Sequence, residues 1–204
     1  MMKLMNMKKR MLSIVLSGAM AVSTAVSAGS FSAFAVAQCV AYSGSNVNDQ
    51  DYVQWSDTVK SYLTVCDNGN YMRVQSGAIE GKLLVEYYSS DFEPLSTKLI
   101  DNELPIFGAF YDSGNNYYVL SGQENPKQND SLEVFRITKY DKNWNKIKSC
   151  GLYGANTTVP FDAGSARMTH SGDHLLVRTC HEMYKSSDGN NHQSNVTIEV
   201  DMPS

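Results

Sequence analysis

Residues able to do chemistry crowd into one stretch, RTCHEMYKSSDGNNHQ, from Arg178 to Gln193. It holds a cysteine, two histidines, an arginine, a glutamate and an aspartate. Three kinds of chemistry deserve weighing. Cys180 beside His181 suggests a thiol nucleophile with its base. His181, Glu182 and His192 could offer nitrogen and carboxylate ligands to zinc. Glu182, His181 and Arg178 could serve as acid, base and anion clamp in an extracellular hydrolase or lyase. Each depends on which side chains share a face. The β-branched run HLLVRTC reads as a strand, and side chains along a strand alternate between faces. Arg178, Cys180, Glu182 and Tyr184 then share one face, and Thr179, His181 and Met183 the other. Cys180 and His181 point apart, so they make a poor nucleophile–base pair. Arg178 and Glu182 share a face but sit about 13 Å apart along a strand, too far for a direct ion pair.

The elements that must position these residues are short and β-rich. The runs YLTV, YMRVQ, KLLVEYY, NYYVLSG, LEVFRITKY, HLLVRTC and NVTIEV are separated by Gly, Asn, Asp and Ser clusters. No stretch beyond the N-terminal leader carries helical periodicity. This pattern predicts an all-β chain of hairpins. It also repeats. Asp67-Asn68-Gly69, Asp112-Ser113-Gly114 and His170-Ser171-Gly172 each precede a strand. Behind them, Tyr88-Ser89-Ser90-Asp91-Phe92-Glu93 matches Tyr140-Asp141-Lys142-Asn143-Trp144-Asn145. Ile198-Glu199-Val200-Asp201 starts the same element again. Repeats of this length with four strands each indicate β-propeller blades. The middle unit shows the order in full, with strands at Ile106–Tyr111, Tyr117–Ser121, Glu133–Tyr140 and Lys146–Gly151. Blades are expected at about 58–100, 101–152 and 153–204, the last incomplete. The third is expected to hold strands at Ala166–Thr169, Leu175–Tyr184 and Val196–Asp201, without a fourth. An incomplete propeller is thus expected, with a β-sandwich of similar hairpins as the alternative.

The N-terminus reads differently. Lys3, Lys8, Lys9 and Arg10 precede an apolar, small-residue run, and Ala35-Val36-Ala37 fits a cleavage site. Residues 1–37 read as a secretory signal peptide, with a membrane anchor as the alternative. Residues 38–57 form a polar N-terminal segment. The whole chain has 17 basic and 21 acidic residues, a net charge of −4. Losing the four basic leader residues leaves 13 against 21, a net charge of −8. That acidity argues against nucleic acid as a partner, which needs a basic footprint. No second apolar run in the mature chain reaches membrane-spanning length. A secreted, extracellular location follows as the expectation, with cell-wall association left open. Export permits disulfides, and sequence order suggests Cys39–Cys66 and Cys150–Cys180, against four separate thiols.

One resemblance adds to this. The run PFDAGSARMTHSGDHLLVRTCHEMYKSSDGNNHQSN, with KYDKNWNKI ahead of it, resembles propeller-like repeat regions in large secreted surface proteins of anaerobic Gram-positive, clostridial bacteria. It covers roughly residues 100–201. The resemblance implies an exported surface protein and no particular reaction.

The polar loops define the expected ligand face. Gly122–Asp130 and Lys185–His192 occupy corresponding places in neighbouring units, and Tyr153–Pro160 lies between them. Arg178, His181, Glu182, Tyr184, Asp188 and His192 are the candidate ligand-binding residues, gathered at that face. A carbohydrate or a surface protein is the expected ligand, with a solvated hairpin tip as the plain alternative. Catalytic residues are not assignable, and no cofactor is expected. Ser187-Asp188-Gly189-Asn190 offers oxygens to Ca²⁺ but has ordinary turn composition. Asp141–Asn145 echoes a calcium loop, yet Lys146 stands where glycine is needed and Leu152 where glutamate is. A third reading makes the chain a fragment of a larger surface protein.

Overall fold

The computed structural model describes residues 58–162 and 166–202. The expected signal peptide, the segment 38–57 and Cys39 lie outside the described residues. Twelve strands follow one another: β1 Ser61–Val65, β2 Tyr71–Ile79, β3 Lys82–Tyr88, β4 Pro94–Asp101, β5 Ile106–Asp112, β6 Tyr117–Gly122, β7 Glu133–Tyr140, β8 Lys146–Tyr153, β9 Thr157–Pro160, β10 Arg167–Ser171, β11 His174–Lys185 and β12 Asn191–Asp201. Among the described residues there is no helix.

The strands form three antiparallel sheets in chain order. Sheet I is β1-β2-β3-β4 and sheet II is β5-β6-β7-β8. Sheet III is β10-β11-β12, with β9 pairing β11 on the same side as β10. β9 and β10 therefore share one strand position along the twelve residues of β11. The described residues are all-β, built as three four-stranded antiparallel sheets, and the sheets do not curl into a closed ring. β9 corrects one expectation. Residues Tyr153–Pro160 read as a loop, but Thr157-Thr158-Val159-Pro160 pairs with His181–Met183. The β-branched run was the signal for it.

The repeats are geometric as well as verbal. Gly69, Gly114 and Gly172 all take positive φ, which glycine adopts without the Cβ clash. The turns after β3 and β7 superimpose bond for bond. Ser89 N–H donates to Glu93 O and Phe92 N–H to Ser89 O. Asp141 N–H donates to Asn145 O and Trp144 N–H to Asp141 O. Phe92 and Trp144 both sit at φ 63°. Asp141 accepts from Asn143 N–H, Asn145 N–H and the Asn145 amide, so its carboxylate closes the turn.

Sheet II lies between the other two. Strand alternation sends Phe110, Tyr117, Val119 and Tyr140 against Met72, Val74, Leu83 and Val85 of sheet I. It sends Tyr118, Leu120, Phe135 and Ile137 against Leu175, Val177 and Ile198 of sheet III. Each such side chain, once out of water, contributes about 1.5–3 kcal/mol before entropy is counted. An aromatic plug closes each seam. Trp144 fills the first, beside Phe110, Tyr117 and Tyr140, and its indole N–H donates to Tyr87 OH across the seam at 3.0 Å. Phe161 fills the second, edge-on to Phe135 at 5.5 Å. It lies so tightly on Gly108 and Gly122 that a Cβ there would come within 2.4 Å and 2.8 Å of its ring.

Candidate binding site

The two loops and the intervening segment do meet, at one end of sheets II and III. Asn125, in the β6–β7 loop, is 1% exposed. Its N–H donates to Thr158 O, and its side-chain amide donates to Asn129 O and to Tyr184 OH. Its Oδ1 accepts from Asn129 N–H at 2.9 Å. Gly154 N–H donates to Leu132 O, and Tyr184 N–H to Asn156. Gly154 takes φ 61° and packs so closely on Asp130 that a Cβ would lie 2.7 Å from Asp130 Cα. The loop conformation is thus fixed by backbone contact as well as by side chains.

Beneath the loops, buried polar groups are paired. Thr157 Oγ1 lies 2.7 Å from His181 Nδ1 and donates to Ala155 O at 3.0 Å. With the hydroxyl proton directed at Ala155, Nδ1–H is the donor to the oxygen. Burial pushes its pKa below the ordinary histidine value. Thr158 OH donates to Glu182 Oε1 at 2.6 Å and accepts from the Asn191 amide at 3.3 Å. Burial, then the facing Asp130 carboxylate, raises the pKa of Tyr184. Every named group has a partner, as buried polar groups require.

The alternation along β11 holds: Thr179 and His181 are buried, while Arg178 is exposed and Cys180 half-buried. It also separates the six residues expected at the ligand face. His181 faces inward to Thr157. Glu182 is held by Thr158, and Tyr184 by Asn125. Arg178 bonds Thr197 Oγ1 at 2.7 Å on the outer face of sheet III. Asp188 and His192 pair with each other at the hairpin tip, 2.8 Å apart. The six residues therefore spread over two faces and a tip. Of Glu182, His181 and Arg178, the expected acid, base and clamp, His181 lies on the opposite face of β11 from the other two. His181 and His192 likewise do not meet around a metal. Among the described residues no three His, Cys, Asp or Glu side chains are placed to hold an ion.

The hairpin tip fixes its own carboxylate in place. Asp188 accepts from Ser186 OH, Asn190 N–H and His192, which together hold its pKa well below the usual range. The expected Cys150–Cys180 disulfide is absent, and both thiols are free. Cys150 pairs with Ile137 and so faces sheet III from β8, whereas Cys180 lies on the far side of that sheet, against Asn195. Sheet III stands between them. The other expected pair, Cys39–Cys66, involves Cys39 and lies outside the described residues.

Sequence reasoning brought the same loops together but missed the residues that hold them: Asn125, Thr157 and Thr158. Their burial comes from the β9–β11 pairing, which adds an extra residue at Thr158 opposite the Glu182/Met183 step.

No protein-family model matches the chain, and no curated protein matches it. Among solved structures it is similar to a GH43 β-1,3-galactosidase with galactodeoxynojirimycin. The identity is 11% and the TM-score 0.40, over 70% of this chain and 41% of that one. The chain spans less than half the length of that structure.

Proposed function

We propose that the chain is an exported, cell-surface binding module that engages carbohydrate at the loop end of sheets II and III. One observation carries this. A fully satisfied buried network fixes two adjacent polar loops, so their outer groups are presented in set positions. Glu124, Asn129 and Asp130 on one loop, and Asp188, Asn190 and His192 on the other, are exposed above that network. Carboxylates and amides held on a rigid scaffold suit the hydroxyls of a sugar, because little loop entropy is lost on binding. The signal peptide read in residues 1–37 supports export. The resemblance to clostridial surface proteins supports the setting.

An array of cell-wall polysaccharides and their fragments tests the proposal. At least one should bind more tightly than millimolar, and Glu124→Ala and Asp188→Ala should each weaken it about tenfold or more. Binding no tighter than millimolar across the array, or variants that bind like the parent, would remove the reading.

A further inference from the structure

Sheets I and III are the end members of the stack, and each turns one face away from sheet II. The two faces differ. On sheet III the outward row of β11 is open: Arg178 is exposed, and Leu176 and Cys180 are half-buried. On sheet I two outward rows cross the strands, one through Gln75, Leu84 and Leu99, the other through Leu63, Arg73, Glu86 and Thr97. Leu84 and Glu86 expose 0% of their surface and Gln75 1%. Strand alternation keeps all three out of the seam with sheet II, which sheet I fills with Met72, Val74, Leu83 and Val85. No strand among the described residues lies over them.

The covered strip limits what covers it. These side chains are out of water in the 204-residue chain alone, so the cover belongs to that chain. Only the two middle strands are sealed. On the flanking strands Leu63 is 65% exposed and Leu99 45%. Paired strands lie about 4.8 Å apart, so the strip is about one chain wide, whereas a whole sheet packed face to face would seal the flanks too. The strip is also mixed in chemistry. Leu84 offers apolar surface. Arg73 donates to Glu86 Oε2 at 2.5 Å, so the buried carboxylate is paired. Gln75 Oε1 is buried without a donor among the described residues, which is costly unless an N–H reaches it. An extended backbone carries one at every residue except proline.

From these features we infer that residues 38–57, the segment immediately before sheet I, lie along the strip over β2 and β3 as an N-terminal cap. The segment is long enough. Its twenty residues reach about 66 Å when extended, and crossing from β1 to β3 takes two strand spacings, about 10 Å. Its composition fits a half-polar strip: Tyr52, Val53 and Trp55 stand among Asn, Gln and Asp residues, with no lysine, arginine or proline. Residues 1–37 are the other upstream chain, but their expected removal leaves 38–57 in the mature protein. Stacked units need such a cap, because an end unit otherwise leaves a core-type face in water. The inference is separate from the sugar-binding reading, which concerns sheets II and III.

The test uses the full chain, expressed with its leader, and a photo-reactive benzoylphenylalanine in place of Leu99 at the exposed margin of the strip. After illumination and trypsin digestion the label should join the peptide that ends at Lys60, at a residue between 38 and 57. In the unlabelled chain, amides of this segment should exchange at least about tenfold more slowly than in the same segment as a free peptide. Leu84→Ala, which leaves the seam with sheet II untouched, should remove part of that protection. A cross-link to residues 1–37, to a second copy of the chain or to nothing would overturn the inference. So would segment amides that exchange at the free-peptide rate, or protection that Leu84→Ala leaves unchanged.

Discussion

The turn at Phe92 and the turn at Trp144 share one backbone and have opposite surroundings. Both place a bulky aromatic at φ 63°. Trp144 is 4% exposed and locks sheet II to sheet I, whereas Phe92 is 65% exposed. Its ring stacks on Tyr71 at 4.7 Å. Phe161, at φ 62° and 3% exposed, behaves like Trp144 at the other seam. A left-handed conformation costs an ordinary residue about 1–2 kcal/mol. At Trp144 and Phe161 burial offsets that cost. At Phe92 the stack on Tyr71 offsets part of it. The repeat thus preserves the conformation, and the neighbouring sheet decides what the conformation is worth.

Four measurements break or sharpen that contrast. Trp144→Ala should lose about 3–5 kcal/mol in urea unfolding, because it opens a cavity and strands the Tyr87 hydroxyl. A loss below about 1 kcal/mol would mean that the first seam is not closed by this side chain. Gly108→Ala should cost about 1–3 kcal/mol by forcing its Cβ into the Phe161 ring. A double variant with Phe161→Leu should recover part of it. The second seam should also respond to acid, through His181. Its folded pKa is lowered, so the unfolded chain takes up a proton first as pH falls. Stability is then fully present above the ordinary histidine value and is lost below it, until the folded pKa is passed. Between about pH 7.5 and about pH 5.5, His181→Gln should flatten that decline. The smallest effect is at Phe92. Phe92→Gly relieves the backbone but loses a stack worth about 0.5–1.5 kcal/mol, so the net change should stay within about 1 kcal/mol. A Phe92→Gly loss matching that of Trp144→Ala would show that both turns are plugs.

Much of this fold was legible because local signals repeat. The D-x-G turns, the strand alternation and the match of Tyr88–Glu93 to Tyr140–Asn145 each report on contiguous residues. The two faces of β11 could be read for the same reason. The meeting of Asn125 with Tyr184, 59 residues apart, could not. Nor could the insertion of Phe161 against Gly108 and Gly122. Both depend on how far one sheet slides across another, which periodicity does not encode. The Cys150–Cys180 reading failed on the same point, since order along the chain says nothing about which side of sheet III a thiol occupies.

The chain-order pairing of the strands, β9 excepted, has a consequence for how the molecule forms. Apart from β9, each strand finds its partner within a short turn or one loop, so closing those contacts costs little chain entropy, and a sheet can assemble soon after its last strand is synthesised. The seams cannot. The Trp144–Tyr87 bond joins residues 57 apart, and it waits until β7 has been made. A chain emerging N-terminus first would therefore hold a finished sheet I, with its inward face still wet, until the tryptophan that covers it follows.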